Sequence, residues 1–363
     1  MSFIKKISFL LIYTVLALPF VGFWLGGWYN YISFLILFSV IPLMDFWLQD
    51  THNPSTEEEN ILLEAFYFKA IIVAYVPLQI LALISALYLV TYVSLTWYAW
   101  FGFALSMGLV TGGLGINLAH ELMHRRSKSE QLLSKILLSL VCYGHFFIEH
   151  VRGHHLNVAT PSDPASARLN ESFYQFLPRC IKGSFLSAWK IERNRLKRQN
   201  INFYSYQNQF WWIVTVPVFL LASCFLLGGF SAALFFVIQA ITAIIILELV
   251  NYVEHYGLER KKLANGYYER VTPAHSWNAN HWASNAILLH LQRHSDHHAN
   301  GGRHYQILRH MEQSPQLPSG YLAMIMLALC PPLWRAVMNK RVAIYRTQPF
   351  NDTSSQVKIL ANG

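Results

Sequence analysis

Six mostly apolar stretches divide this chain, at roughly 8–26, 29–48, 68–92, 97–119, 210–228 and 230–250. Each approaches the ~20 residues that a helix needs to cross a bilayer. Three of the connections are tiny: Gly27–Trp28, Thr91–Thr96 and Gly228–Gly229. The other segments, 49–67, 120–209 and 251–363, are long and polar. Short links pair helices as hairpins, so all the long segments belong on one side. Charge makes the same point. Of 28 Lys and Arg residues, three precede residue 120 (Lys5, Lys6, Lys69), thirteen lie in 120–209 and twelve follow residue 250. The short links carry none, and the excess of positive charge puts the long segments and both termini in the cytoplasm. The expected fold is an all-α integral membrane protein. Residues 1–363 form a single membrane-embedded domain, with six transmembrane helices and a cytoplasmic helical cap.

Composition supports this over a soluble all-α protein, with 54% hydrophobic and only 13% charged residues. The net charge of +9 falls between apolar blocks instead of along one patch, so it reads as a topology signal and not as a nucleic-acid surface. The apolar run after Lys5 and Lys6 lacks a small-residue cleavage site and reads as a retained helix. Four scattered cysteines form no Cys-x-x-Cys pair, which leaves no disulfide framework or rubredoxin-type iron site. Pro54 and Glu57–Glu59 mark a loop and a helix start. Residues 132–148 are barely long enough to span and read as an interfacial or buried helix, and 350–363 as a loose tail.

The chain carries sixteen histidines, and nine of them fall in four boxes. His120-Glu-Leu-Met-His124 closes the fourth apolar block. Glu149-His150-Val-Arg-Gly-His154-His155 follows, then Asn251-Tyr-Val-Glu254-His255 at the end of the sixth block, and last His294-Ser-Asp-His297-His298. Spacings of three and four place imidazoles on one helix face. Alone, each box has other readings: His120, Glu121 and His124 fit a zinc protease, and His255 a satisfied core histidine. Together they fall on the one face that charge predicts. Nine histidines exceed what a single zinc needs and suit two metal ions at four or five imidazoles each. Imidazole-rich sites with open positions suit iron that must bind dioxygen. Glu121, Glu149, Glu254 and Asp296 lie beside these histidines and are candidates to accept the other ring N–H, with Glu254 first in line as a direct ligand. His275 and His281 are reserve candidates. His52, His145, His290, His304 and His310 read as packed or solvated.

These boxes resemble those of the membrane alkane 1-monooxygenases, within the wider group of fatty-acid desaturases and membrane hydroxylases. The similarity extends to Asn157-Val-Ala-Thr-Pro-Ser-Asp-Pro-Ala-Ser and to Pro42-Leu-Met-Asp45 with Asp50 and Asn53-Pro54, and covers most of 25–335. The resemblance implies a non-haem diiron centre, O2 as co-substrate and hydroxylation of a terminal methyl of medium or long alkanes. It also implies electrons from a rubredoxin with its reductase, and a bacterial inner-membrane location. The wording Met123-His-Arg-Arg126 is similar to that of the xylene side-chain hydroxylases. The alternatives are therefore a xylene-type or acyl-desaturating relative, the zinc protease, and a metal transporter. Phe23, Trp24, Phe34, Leu37 and Phe38 are candidates to line a hydrocarbon slot.

Overall fold

A computed structural model describes residues 1–50 and 52–347, so the tail expected over 350–363 lies outside the described residues. Among the described residues the fold is helical, with isolated bridges but no strand. Five helices are long and apolar enough to cross a membrane: Phe3–Leu25, Gly27–Trp47, Phe66–Tyr92, Trp97–Met123 and Phe210–His255. The first four match the first four apolar blocks.

The fifth, of 46 residues, contains both remaining blocks and breaks at Gly229 (φ 69°, ψ −163°). That backbone is open in practice only to glycine. Its contacts show where the break sits. Ser231 Oγ donates to Val90 O at 3.2 Å and receives Trp100 Nε1 at 3.0 Å, at the end of the bundle remote from the histidines. The two ends of this long helix lie on the histidine face: Gln209 N donates to Glu192 at 2.8 Å, and His255 joins the histidines.

Close helix contact is built by small residues. The fourth span carries Gly108 and Gly112, four apart. A Cβ on either would fall within 3 Å of Gln239, Thr242 or Ala243 on the long helix. Small residues at this spacing let two backbones approach. The pairing of 108 with 239 and of 112 with 243 sets the two helices running the same way, both toward the histidine face.

Helix Lys128–Leu140 and the segment from Phe146 enter and leave the bundle on that same face. Leu140 O accepts Gln239 Nε2 at 2.8 Å, and Gln239 lies level with Gly108, twelve residues below His120. At 1.5 Å per residue the dip is ~18 Å deep. Residues 132–148 therefore form a buried re-entrant pair. Non-helical backbone at this depth survives only inside protein with its polar groups satisfied, and Gln239 satisfies the exposed carbonyl.

A charged staple ties the N-terminal helix to the segment around the fourth box. Lys5 Nζ lies 2.7 Å and the Arg293 guanidinium 3.2 Å from Asp50 Oδ2, and Arg293 Nη1 donates to Leu308 O at 2.6 Å. His290 stacks edge-on to Phe9 and donates from Nδ1 to Tyr305 O at 2.8 Å. Asp50 is held well below the usual carboxylate range: burial acts to raise it, and His290, Arg293 and Lys5 outweigh burial.

Candidate metal centre

All nine histidines of the four boxes converge. They form two groups: His120, His124, His150, His155 and His297 in one, His154, His255, His294 and His298 in the other. His120 and His255 come from helix ends. The second box lies on a π-helical turn, His150–His154, whose extra residue per turn stacks the two rings at 5.2 Å and hands one to each group. The fourth box opens helix His294–Ala299, and its turns send His297 to one group and His294 and His298 to the other. The preceding reversal uses left-handed Leu289 (φ 51°) and His290 (φ 59°), and Asn117 Nδ2 pins it by donating to Leu288 O at 2.7 Å.

Nearest ring nitrogens lie 3.0 Å apart for His120 and His297, 3.1 Å for His155 with His150 and with His297, 3.3 Å for His154 and His298, and 3.2 Å for His294 and His255. Imidazoles bound ~2.0–2.1 Å from a common ion stand at about this separation. The rings are buried except His124 and His155, which are partly exposed. Burial and neighbouring rings push the pKa values of His150, His155, His294, His297 and His298 far down, and burial with Arg125 takes His124 to about 4. These rings are neutral at pH 7, the form that ligates a metal. These pairs all meet Nε2 to Nε2, and among them His124 Nε2 is buried without a hydrogen-bond partner. Such a group is costly unless something satisfies it, and the donor set fits non-haem iron.

The carboxylates sort differently from their sequence positions. Glu254 Oε2 sits 3.2 Å from His294 Nε2 inside the second group. Glu121 instead pairs with Arg125 and accepts the Tyr305 N–H. Glu149 accepts from Ser187 at 3.3 Å, and burial lifts its pKa to about 8. Asp296 takes Arg303, Asn300 and the Arg309 N–H. The carboxylate on the outer nitrogen of a box histidine is Asp163, 2.9 Å from His154 Nδ1 and braced by Ser166. Burial acts to lower His154, but Asp163 outweighs it and leaves the pKa raised. Nothing in the box spacing points to Asp163; its one signal is its place in the Thr-Pro-Ser-Asp-Pro turn.

The remaining histidines stand apart from both groups. His275 bonds Thr272 and Glu269, and His281 bonds Gln49 and Asp45 O, so neither reserve candidate joins. His145 packs on Tyr143 and Phe185, and His52 is exposed beside Glu58.

Directly beneath the histidines lies an apolar cavity. Ile116, Leu247, Val250, Leu291, Leu322 and Ile325 line its walls, and His120, His150, His294 and Glu254 close one end. None of Phe23, Trp24, Phe34, Leu37 and Phe38 lines it. Trp24 is 80% exposed on the outer surface, and Phe23 packs on Phe103. The aromatic content of the early helices gives no information about which way each ring points.

This helical bundle belongs to the fatty acid desaturase family, whose model matches residues 95–328. Within it, the chain is 43% identical to alkane 1-monooxygenase 2 of Pseudomonas aeruginosa over 94% of this chain and 93% of that one. It is 42% identical to alkane 1-monooxygenase 1 of the same organism, over 97% and 95%. The xylene/toluene monooxygenase hydroxylase component of Pseudomonas putida is 29% identical over 66% and 63%. The chain belongs to the alkane 1-monooxygenases and is an integral membrane protein.

Proposed function

We propose that this protein hydroxylates the terminal methyl of medium- and long-chain alkanes with two iron ions, O2 and electrons from a rubredoxin reduced by its own reductase. The reaction is R–CH3 + O2 + two electrons + two protons → R–CH2OH + H2O. The observation that carries this reading is the placement of two imidazole groups at the closed end of an apolar cavity. His120, His124, His150, His155 and His297 would hold one iron, and His154, His255, His294 and His298 the other. When bound, the iron pair would supply the capacity to reduce O2 and break a strong C–H bond.

The chain's own residues do the rest. The apolar walls bind the alkyl chain and exclude water, which directs its end toward His120, His150 and His294. The Glu254 carboxyl is buried at that end, where a proton can be held, with the Tyr321 hydroxyl beside it and Oε2 facing His294. Asp163 orients His154. The long helix makes two passes, which gives six crossings with the metal face in the cytoplasm of a bacterial inner membrane. The exposed basic residues Arg126, Lys128, Arg152, Lys261 and Lys262 suit an acidic electron donor, whose encounter would slow as salt rises.

The test is a product panel with octane, hexadecane, xylene and fatty acyl substrates, run with metal analysis. 1-Alkanols with two irons per chain support the reading. Methylbenzyl alcohol as the main product would transfer the chain to the xylene-type hydroxylases, unsaturated acyl products to the desaturases, and one zinc per chain to the proteases.

A further inference from the structure

We infer that Gly113 sets the length of hydrocarbon that the cavity accepts, an assignment that rests on the alkane-hydroxylase reading above. The fourth span lines the cavity with Gly112, Gly113, Ile116, Asn117 and His120. The two glycines lie farthest from the histidine end of that wall, and they are not equivalent. A Cβ on Gly112 would lie 2.6 Å from Ala243 Cα, so helix packing requires glycine there. A Cβ on Gly113 would meet nothing within 4 Å, and its φ lies outside the left-handed region. Neither packing nor backbone conformation therefore requires glycine at 113. In a helix interior glycine is also less favourable than alanine. The missing side chain leaves open space at a residue that lines the cavity.

The position of that volume matters. Gly113 precedes His120 by seven residues, or roughly 10 Å of helix. Ile116 lies between them on the same wall. An alkyl chain with its reacting methyl at His120, His150 and His294 runs down past Ile116, and its distal carbons enter the space beside Gly113. A side chain at 113 fills that space. Short alkanes end before it and long ones collide with it.

The test uses whole cells that express the full chain with a rubredoxin and its reductase, fed hexane, octane, decane, dodecane and hexadecane. The readout is the ratio of alcohol formed from the longest and the shortest alkane that the parent oxidises. Iron content and membrane yield are measured alongside. Gly113→Leu should lower the ratio by about tenfold or more, since a few methylenes in an apolar pocket discriminate at this level. Gly113→Ala should lower it less, in the same direction. A ratio within about twofold of the parent, with iron and short-chain turnover retained, overturns the assignment. So does an equal fall for every alkane, which would make Gly113 part of an entry path. If Gly113→Leu does not accumulate, Gly113→Ala decides: its methyl enters open space, and an unchanged ratio rejects the proposal. A parent that oxidises no alkane on the panel refutes the hydrocarbon reading itself, and Gly113 with it.

Discussion

Asp163 Oδ2 lies 2.9 Å from His154 Nδ1, with both side chains fully buried and Ser166 Oγ donating to the same carboxylate oxygen at 2.6 Å. This bond leaves Nε2 of His154 to face His298 in the four-histidine group. A carboxylate on the far nitrogen fixes the ring's tautomer and orientation and raises its basicity. Asp163→Asn should therefore lower iron affinity by about 10–100-fold while the protein still inserts. Iron titration of the purified protein measures this. Parental affinity in the variant would reduce Asp163 to a packing residue.

Arg293 is buried against Asp50, which also takes Lys5. Arg293 directly precedes His294 and spans from the fourth box to the chain's first loop through Asp50 O and His52 O. Removing one partner of a buried ion pair costs ~3–5 kcal/mol, and Lys5, which stays paired with Asp50, reduces that. Arg293→Met should thus lower the thermal midpoint in detergent and also reduce iron retention. The double variant with Asp50→Asn should lose less than the sum of the single changes, since the two groups interact. Additive losses would show that they act independently.

The metal-free protein should lose stability as pH falls below about 6.5, where an unfolded histidine begins to protonate. Burial takes His145 to about 4, and burial with Arg293 takes His290 to about 3. Between those values and 6.5 the unfolded chain binds protons that the folded one refuses, so stability rises with pH across this window. The lowered box histidines add to the trend, and His154, raised by Asp163, opposes it. Thermal midpoints of chelator-treated protein should drop steadily from pH 7 to pH 5. A flat profile would contradict the burial of these rings.

Box spacing in the sequence picked out the nine histidines that converge, because a turn of helix encodes which rings share a face. It was less informative about their carboxylate partners: Glu254, named beside the third box, does lie 3.2 Å from His294 Nε2. Glu121 and Asp296 adjoin box histidines in sequence, yet Arg125 and Arg303 lie within reach and take them. Asp163 is nine residues from His154, and only the fold of the intervening turn joins them. The apolar blocks located the helices, and Gly228–Gly229 located the break. Which faces look inward depends on packing partners, so the cavity wall fell on Ile116, Leu247 and Ile325 and not on the early aromatics.

Gly229 adopts φ 69° and ψ −163° with nothing within 4 Å of a Cβ built there, so replacing it tests backbone strain alone. Gly229→Ala should destabilise the protein by ~1–3 kcal/mol through the disfavoured conformation. The thermal midpoint in detergent reads this, with Gly113→Ala as a comparison in which the methyl enters open space without strain. Equal midpoints for the two variants would mean that the helix break does not depend on glycine.

The division of the histidines into groups of five and four makes a stoichiometric prediction. Chelation should abolish hydroxylation, and ferrous iron should restore it where zinc does not, since zinc has no redox chemistry. If each group holds one ion, His120→Ala strikes the first and His255→Ala the second. Each variant should fall from two irons per chain toward one, and both should lose hydroxylation while still inserting in the membrane. His154→Ala and His297→Ala should repeat the pattern, one from each group. Iron analysis of the purified variants separates the outcomes. Loss of all iron from every variant would mean one cooperative cluster in place of two sites, and full activity in His154→Ala would rule out this ligand set.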